Sequence, residues 1–302
     1  MASAIDSAIV TTKFTLNNGT HMPAVGMGTY RVRGTEIIMQ VVDDALAAGY
    51  RMFDTAAVYR NEGFLREAFE TLLPKYGLDR DEIFITTKLS PADHGGPDVV
   101  KRAYMHSLQN LGMDFADLYL IHFPGTQKLS CDDQRNAEIR LMTWASLVEL
   151  YDNGLVNAIG VSNFTDYHLK HLMRSNHGVI PAVNQVEWHP FFHQMEVLDF
   201  CKENDIVLQG YCSLGGTSTN NDSLLKHPAV TKIARKLEVS NAQVLLAWSL
   251  QHDVAIIPKA SDPEHIKQNI ALNFKIPKED MLILNDLGSH QIKYAWDPSI
   301  VV

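Results

Sequence analysis

No stretch of the 302-residue chain approaches the roughly 18 consecutive apolar residues of a membrane-spanning helix. The opening MASAIDSAIV has neither a basic region nor a long apolar core, so neither a signal peptide nor a membrane span is expected. Cationic charge is also short: 26 Lys and Arg stand against 35 Asp and Glu, a formal charge of −9 spread along the chain. That leaves no basic footprint for nucleic acid or anionic lipid, and any anionic ligand needs a local cationic pocket. The three cysteines, Cys131, Cys201 and Cys212, are odd in number and widely spaced, which fits neither a disulfide framework nor a zinc motif. They read as reduced thiols in a cytoplasmic protein. His189 and His193 in HPFFH span a strand exit and a turn rather than one helix face, so no metal is expected. Repeats, low-complexity tracts and linkers are missing too, and residues 1–302 are expected to form a single domain.

What is present is material for a large core, with 46% apolar and 20% charged residues. KFTLNNGTHMPAV alternates apolar and polar residues around Asn18-Gly19, a dipeptide suited to a tight turn, and reads as a β-hairpin lid. About eight short β-rich runs follow, VGMGT, RMFDTA, IFITTKL, LYLIHF, NAIGVSN, AVNQVEWH, VLQGYCSL and AIIPKA. Between them lie amphipathic stretches such as TEIIMQVVDDALAAG, apolar at i, i+3, i+4 and i+7 and stopped by Gly49. Apolar strands separated by helices imply a parallel sheet covered on both faces, and eight such units close an α/β fold of the (β/α)8 TIM barrel type. An open doubly wound sheet is the competitor. Its G-x-G-x-x-G signature is not there, since GMGTYR has only the first two glycines.

A barrel gathers its chemistry at the carboxyl ends of its strands. There GYRMFDTAAVYRNE places Asp54 and Tyr59, ITTKL places Lys88, and LIHF places His122. Singly, a strand-end His is commonly a core residue, a Lys a solvated end and an Asp a turn former. Together they aim at one mouth. A buried ammonium at Lys88 needs an anion, for which Asp54 is the candidate. A phenol is a weak acid, with a pKa of about 10, and the Lys88 cation is expected to lower that of Tyr59 and make it a proton donor. His122 is placed to hydrogen-bond a carbonyl oxygen.

The stretches GYRMFDTAAVYRNE, ITTKL, LYLIHFP, GLVNAIGVSNF, NQVEWHP and IIPKASDPEHIKQN resemble, in order and spacing, the signatures of the aldo-keto reductase family, over nearly the whole chain. The resemblance implies a nicotinamide cofactor bound without a Rossmann fold and a tetrad matching Asp54, Tyr59, Lys88 and His122. Hydride then passes to a carbonyl carbon while Tyr59 protonates the oxygen. By the same resemblance Ser162, Asn163 and Gln185 hold the carboxamide, Tyr211 stacks on the nicotinamide and Thr29 lies near its ribose. YCSLG departs from the family's usual Tyr-Ser-Pro-Leu-Gly, yet Ser213, Leu214 and Gly216 still offer pyrophosphate contacts. The loop GTSTNND looks short for a belt over the cofactor.

Lys259 and the helix starting near Pro263 favour a 2'-phosphate and hence NADP(H). Ser261 belongs to this implied pocket, and Gln268 and Asn269 to the adenine. Ala260, Asp262 and His265 depart from the usual Ser, Ser/Thr/Asn and Arg; a carboxylate at 262 repels a phosphate and accepts a bond from a free ribose hydroxyl, so NAD(H) use is also allowed.

Tyr30, Val58, Ser90 and Phe123 are expected to line the substrate mouth, with Trp296 as a wall or a packing residue. Ser90 and Phe123 stand near where many members carry tryptophan, which suggests a roomier pocket for a small-molecule carbonyl such as a reactive aldehyde, a dicarbonyl or a small sugar. The segment KYAWDPSIVV is shorter than the loops that enclose steroids in other branches. A monomer is expected. The alternative is a cofactor-binding barrel serving as a structural or regulatory subunit, against which the intact tetrad counts.

Overall fold

A computed structural model describes residues 12–302. The start of the chain, on which the signal-peptide expectation rests, lies outside the described residues, as does the first part of the expected 1–302 domain. The hairpin pairs β1 (Lys13–Thr15) with β2 (His21–Pro23), Phe14 opposite Met22. Its turn is wider than a two-residue one: Leu16 N donates to Thr20 O at 2.8 Å, and Gly19 takes the positive φ, 87°. Asn18 instead donates its side-chain amide to Asn157 O, and Asn17 to Pro181 O, tying the hairpin to the amino ends of two barrel strands. The hairpin therefore closes the end of the barrel away from the strand carboxyl ends. Its Leu16 and Met22 pack there against Met52, Phe84, Leu118 and Val183.

Eight parallel strands follow: β3 (Met27–Gly28), β4 (Met52–Asp54), β5 (Phe84–Leu89), β6 (Ala116–Ile121), β7 (Val156–Ser162), β8 (Val183–Glu187), β9 (Val207–Tyr211) and β10 (Ala255–Ile256). Each pairs with the next in sequence, and Val25 bridges Ile256 in parallel to bring the last strand back to the first. The barrel closes at this seam through Gly26 N to Ile256 O (2.8 Å) and Gly28 N to Pro258 O (3.0 Å). A Cβ on Gly28 would lie 2.6 Å from Ile257 O, so the seam admits only glycine there.

Around the sheet run α1 (Thr35–Ala48), α2 (Glu62–Lys75), α3 (Pro97–Leu111), α4 (Arg135–Asp152), α5 (Asp166–Met173), α6 (Met195–Glu203), α7 (Pro228–Leu237), α8 (Asn241–Leu250), α9 (Pro263–Ile270) and α10 (Lys278–Asp286). In α1 the buried set Ile38, Val41, Val42, Ala45 and Leu46 has the spacing of one helix face, and Gly49, at φ 97°, donates to the carbonyls of Ala45 and Leu46 to end it. α9 packs on α1, so the outer ring closes where the sheet does. Among the described residues no helix is long and apolar enough to cross a membrane.

Candidate active site

Three strands bring their polar residues to the carboxyl end of the barrel. Asp54 is the last residue of β4, Lys88 the last but one of β5, and His122 follows β6 directly. Tyr59 ends a short 3-10 turn, Ala57–Tyr59, after β4. Buried Asn61 braces that turn: it accepts from Thr55 Oγ1 at 2.6 Å and donates to the carbonyls of Thr29 (2.9 Å) and Val32 (3.0 Å). Arg33 Nε donates to the Tyr59 carbonyl at 3.0 Å.

Lys88 and Asp54 form the expected pair, Nζ to Oδ1 at 2.6 Å, both shut off from solvent. Lys88 also donates to Thr55 O (2.8 Å), while Asp54 Oδ2 accepts from Gln185 Nε2 (2.7 Å), which in turn reaches Gln209 Oε1 (2.8 Å). A chain of buried polar groups thus lies above the apolar plug under the hairpin. The Lys88 ammonium sits 5.0 Å from the centre of the Tyr59 ring, and the His122 ring 5.6 Å from it.

One expectation is reversed. Burial, with the negative charge of Asp54 next, pushes the Tyr59 phenol well above its ordinary pKa rather than below it. Burial lowers the pKa of Lys88 itself against the pull of Asp54. Desolvation and then the Lys88 charge hold His122 well below the usual imidazole range, so near neutrality its ring is neutral and keeps one N–H to donate. His122 Nδ1 is buried and has no partner among the described residues.

A cavity of about 590 Å³ opens above these groups, bounded by Tyr59 and His122 at one end and by Ser213–Thr217 and Lys259 at the other. Ser162, Asn163, Gln185 and Tyr211 line its middle, as do Ser213, Leu214 and Gly216 its far end. The donor set fits a nicotinamide nucleotide. Tyr211 donates to Asn163 Oδ1 at 2.6 Å and Asn163 Nδ2 to His122 O at 2.9 Å, which fixes the amide beside an aromatic face. At the far end Gly215 and Gly216 let the Tyr294 ring pack directly on the loop main chain, where a Cβ on Gly216 would lie 2.5 Å from it.

Of the remaining assigned residues, some line this cavity and others do not. Thr29 is buried and is not among the residues lining the cavity; its hydroxyl donates to Asp54 O at 2.8 Å. Ser261, Asp262, His265, Gln268 and Asn269 sit at or on α9, beyond the cavity wall. Asp262 caps that helix, accepting from His265 N at 3.0 Å, so its own carboxylate takes an amide expected to face a phosphate. Gln268 is bonded to Glu264 and Asn269 is buried. Tyr30, 5.1 Å from Tyr59, and Val58 line the main cavity. Ser90 and Phe123 line a second one of about 360 Å³, and Val58 and Trp296 border both. Trp296 is a wall: its ring lies 5.7 Å from Phe123 and is 60% exposed. Sequence reasoning missed Asn61, Gln209 and Arg33; only Asn61, a lone amide inside VYRNE, carried a signal.

Barrel closure and this floor of charge, phenol and imidazole define an α/β-barrel enzyme with its chemistry at the strand carboxyl ends. The aldo/keto reductase family model matches residues 24–288. The chain is 36% identical over 297 residues to a glycerol 2-dehydrogenase (NADP(+)) of Saccharomyces cerevisiae, covering 91% of this chain and 90% of that one. It is 38% identical over 267 residues to a glyoxal reductase of Bacillus subtilis, covering 88% and 89%. The crystal structure of an aldo-keto reductase from a Medee basin deep-sea metagenome library superposes with a TM-score of 0.83 at 35% identity, covering 93% of this chain and 97% of that one. The chain belongs to the aldo/keto reductase family and is an oxidoreductase acting on carbonyl and alcohol groups.

Proposed function

We propose that the protein reduces small aldehydes, dicarbonyls and related ketones with NADPH, using Tyr59 as the proton donor. The observation that carries this is the buried Asp54–Lys88 pair beneath Tyr59 and His122 on the floor of the cavity. A reduced nicotinamide, held by Ser162, Asn163, Gln185 and Tyr211, supplies the hydride. Neutral His122 donates a hydrogen bond to the substrate oxygen and orients it. Tyr59, kept protonated by its raised pKa, holds the proton the oxygen requires; an alkoxide is a far stronger base than a phenolate, so the transfer runs downhill. Lys88 stabilises the resulting phenolate, and Asp54 keeps Lys88 charged and in place.

Small carbonyls suit a mouth bordered by Val58 and Ser90 without a second tryptophan beside Trp296, and the related enzymes named for glyoxal and glycerol support the class. Lys259 favours NADPH, with NADH admitted through Asp262. A cytoplasmic monomer is the accompanying reading. The test is loss of reduced-nicotinamide absorbance, with NADPH and NADH in parallel, against aldehydes, dicarbonyls, aldoses and ketosteroids. Turnover of small aldehydes with NADPH is expected; tight cofactor binding without turnover would overturn the reductase reading in favour of a regulatory barrel.

A further inference from the structure

A single buried carboxylate holds residues 293–296 across the barrel mouth. Glu187, the last residue of β8, has a side chain with no solvent exposure. Its Oε2 accepts from Lys293 Nζ at 2.6 Å and Ala295 N at 3.0 Å, and its Oε1 from Tyr294 N at 2.5 Å and His189 Nε2 at 3.0 Å. Such an anchor is stronger than an ordinary loop contact, because the fully buried Glu187 carboxylate would otherwise be left unpaired. Burial raises the Glu187 pKa, but the bonds from His189 and Lys293 outweigh it and bring the carboxyl down to about 2.

From this anchor two aromatic side chains reach opposite ends of the site. Tyr294 packs on the glycine pair of the nucleotide loop: a Cβ on Gly216 would come 2.5 Å from its ring, and one on Gly215 3.2 Å. Its hydroxyl lies 2.9 Å from Ser223 Oγ, so it spans the loop from 215 to 223. Two residues on, Trp296 stands against Phe123 and lies 6.3 Å from the His122 ring, forming the border between the two cavities.

We propose that Glu187 is a positioning residue that makes residues 293–296 a strap, coupling closure of the 215–223 loop over the nucleotide to the setting of the Trp296 wall. The proposal rests on the nucleotide site of the reductase reading. A loop lifted for nucleotide entry must release Tyr294 from Ser223, and because Tyr294 and Ala295 share one carboxylate, that release is passed to Trp296. Closure reverses it, so the substrate wall is complete only when the nucleotide end is.

Trp296 offers its own readout, since Trp144, Trp188 and Trp248 are buried and it is not. Acrylamide quenching is measured without ligand and with saturating NADP+, which lacks the near-ultraviolet absorbance of the reduced form, and a Trp296→Phe variant assigns the signal. In the parent, NADP+ is expected to lower quenching. Glu187→Gln should raise quenching in the free protein, weaken NADP+ binding by roughly tenfold and abolish the NADP+-dependent change at saturation. Exposed Ser223→Ala, which does not threaten folding, should also diminish that change. Substrate KM should rise more than kcat falls in both. A parent-like NADP+ response in Glu187→Gln, or in Ser223→Ala if the former does not fold, would overturn the coupling. A parent that turns over but shows no Trp296 response would do the same while leaving the reductase reading intact. A parent that binds neither NADP+ nor NAD+ would overturn both.

Discussion

Lys88 and Asp54 face each other across β4 and β5, Nζ 2.6 Å from Oδ1, with side-chain exposures of 0% and 2%. Neither charge can remain there alone. Lys88→Met leaves a buried carboxylate and Asp54→Leu a buried ammonium, so each should lose about 3–5 kcal/mol of stability in urea unfolding, and the double variant less than either. Single variants as stable as the parent would show that the pair is not desolvated.

Strand ends of this kind are legible in a sequence because an apolar run that stops at Asp, Lys or His has no core use for the residue. Partners brought together by barrel closure are not. Gln185 meets Asp54 across 131 positions and Lys293 meets Glu187 across 106, and no local pattern marks either. The direction of the Tyr59 shift was lost for a related reason: the sequence identifies the neighbouring charge, whereas the enclosure that outweighs it belongs to the folded cavity. The hairpin was legible as a unit, but which barrel end it closes depends on Asn17 and Asn18 finding carbonyls near residues 157 and 181.

The seam of the barrel makes its own prediction. Gly28→Ala sets a methyl 2.6 Å from Ile257 O, a backbone atom that cannot rotate away. A loss of at least about 1–3 kcal/mol is expected by thermal or urea unfolding. Unchanged stability would contradict closure through this contact.

Acid stability follows from two buried imidazoles. Burial, followed by the Arg140 charge, lowers His94 and His168 to about 4. Both are neutral when folded but take up protons below about 6.5 when unfolded. Their contribution is complete above that value and is lost as pH falls from about 6.5 toward about 4, by about 3 kcal/mol each at most. Urea unfolding at pH 7.5 and 4.5 measures it, and His94→Asn should flatten the slope. Equal stability at both pH values would contradict the assignment.

Asp262 caps α9 and puts a carboxylate at the helix start that the resemblance assigns to the 2'-phosphate. Asparagine keeps the cap and removes the charge. Asp262→Asn should therefore tighten NADP+ binding by about fivefold, as relief of about 1 kcal/mol of exposed repulsion allows, and change NAD+ binding little. Dissociation constants for both nucleotides check this; parallel changes would place Asp262 away from the phosphate.

Proton donation by the Tyr59 phenol is read out by Tyr59→Phe, with kcat for a small aldehyde and the NADP+ dissociation constant measured on the same preparation. The ring packing against Tyr30 and His122 survives this change and only the hydroxyl is lost. A fall in kcat of roughly 10²–10⁴-fold with nucleotide binding preserved is predicted. Parent-like turnover would mean that another group supplies the proton.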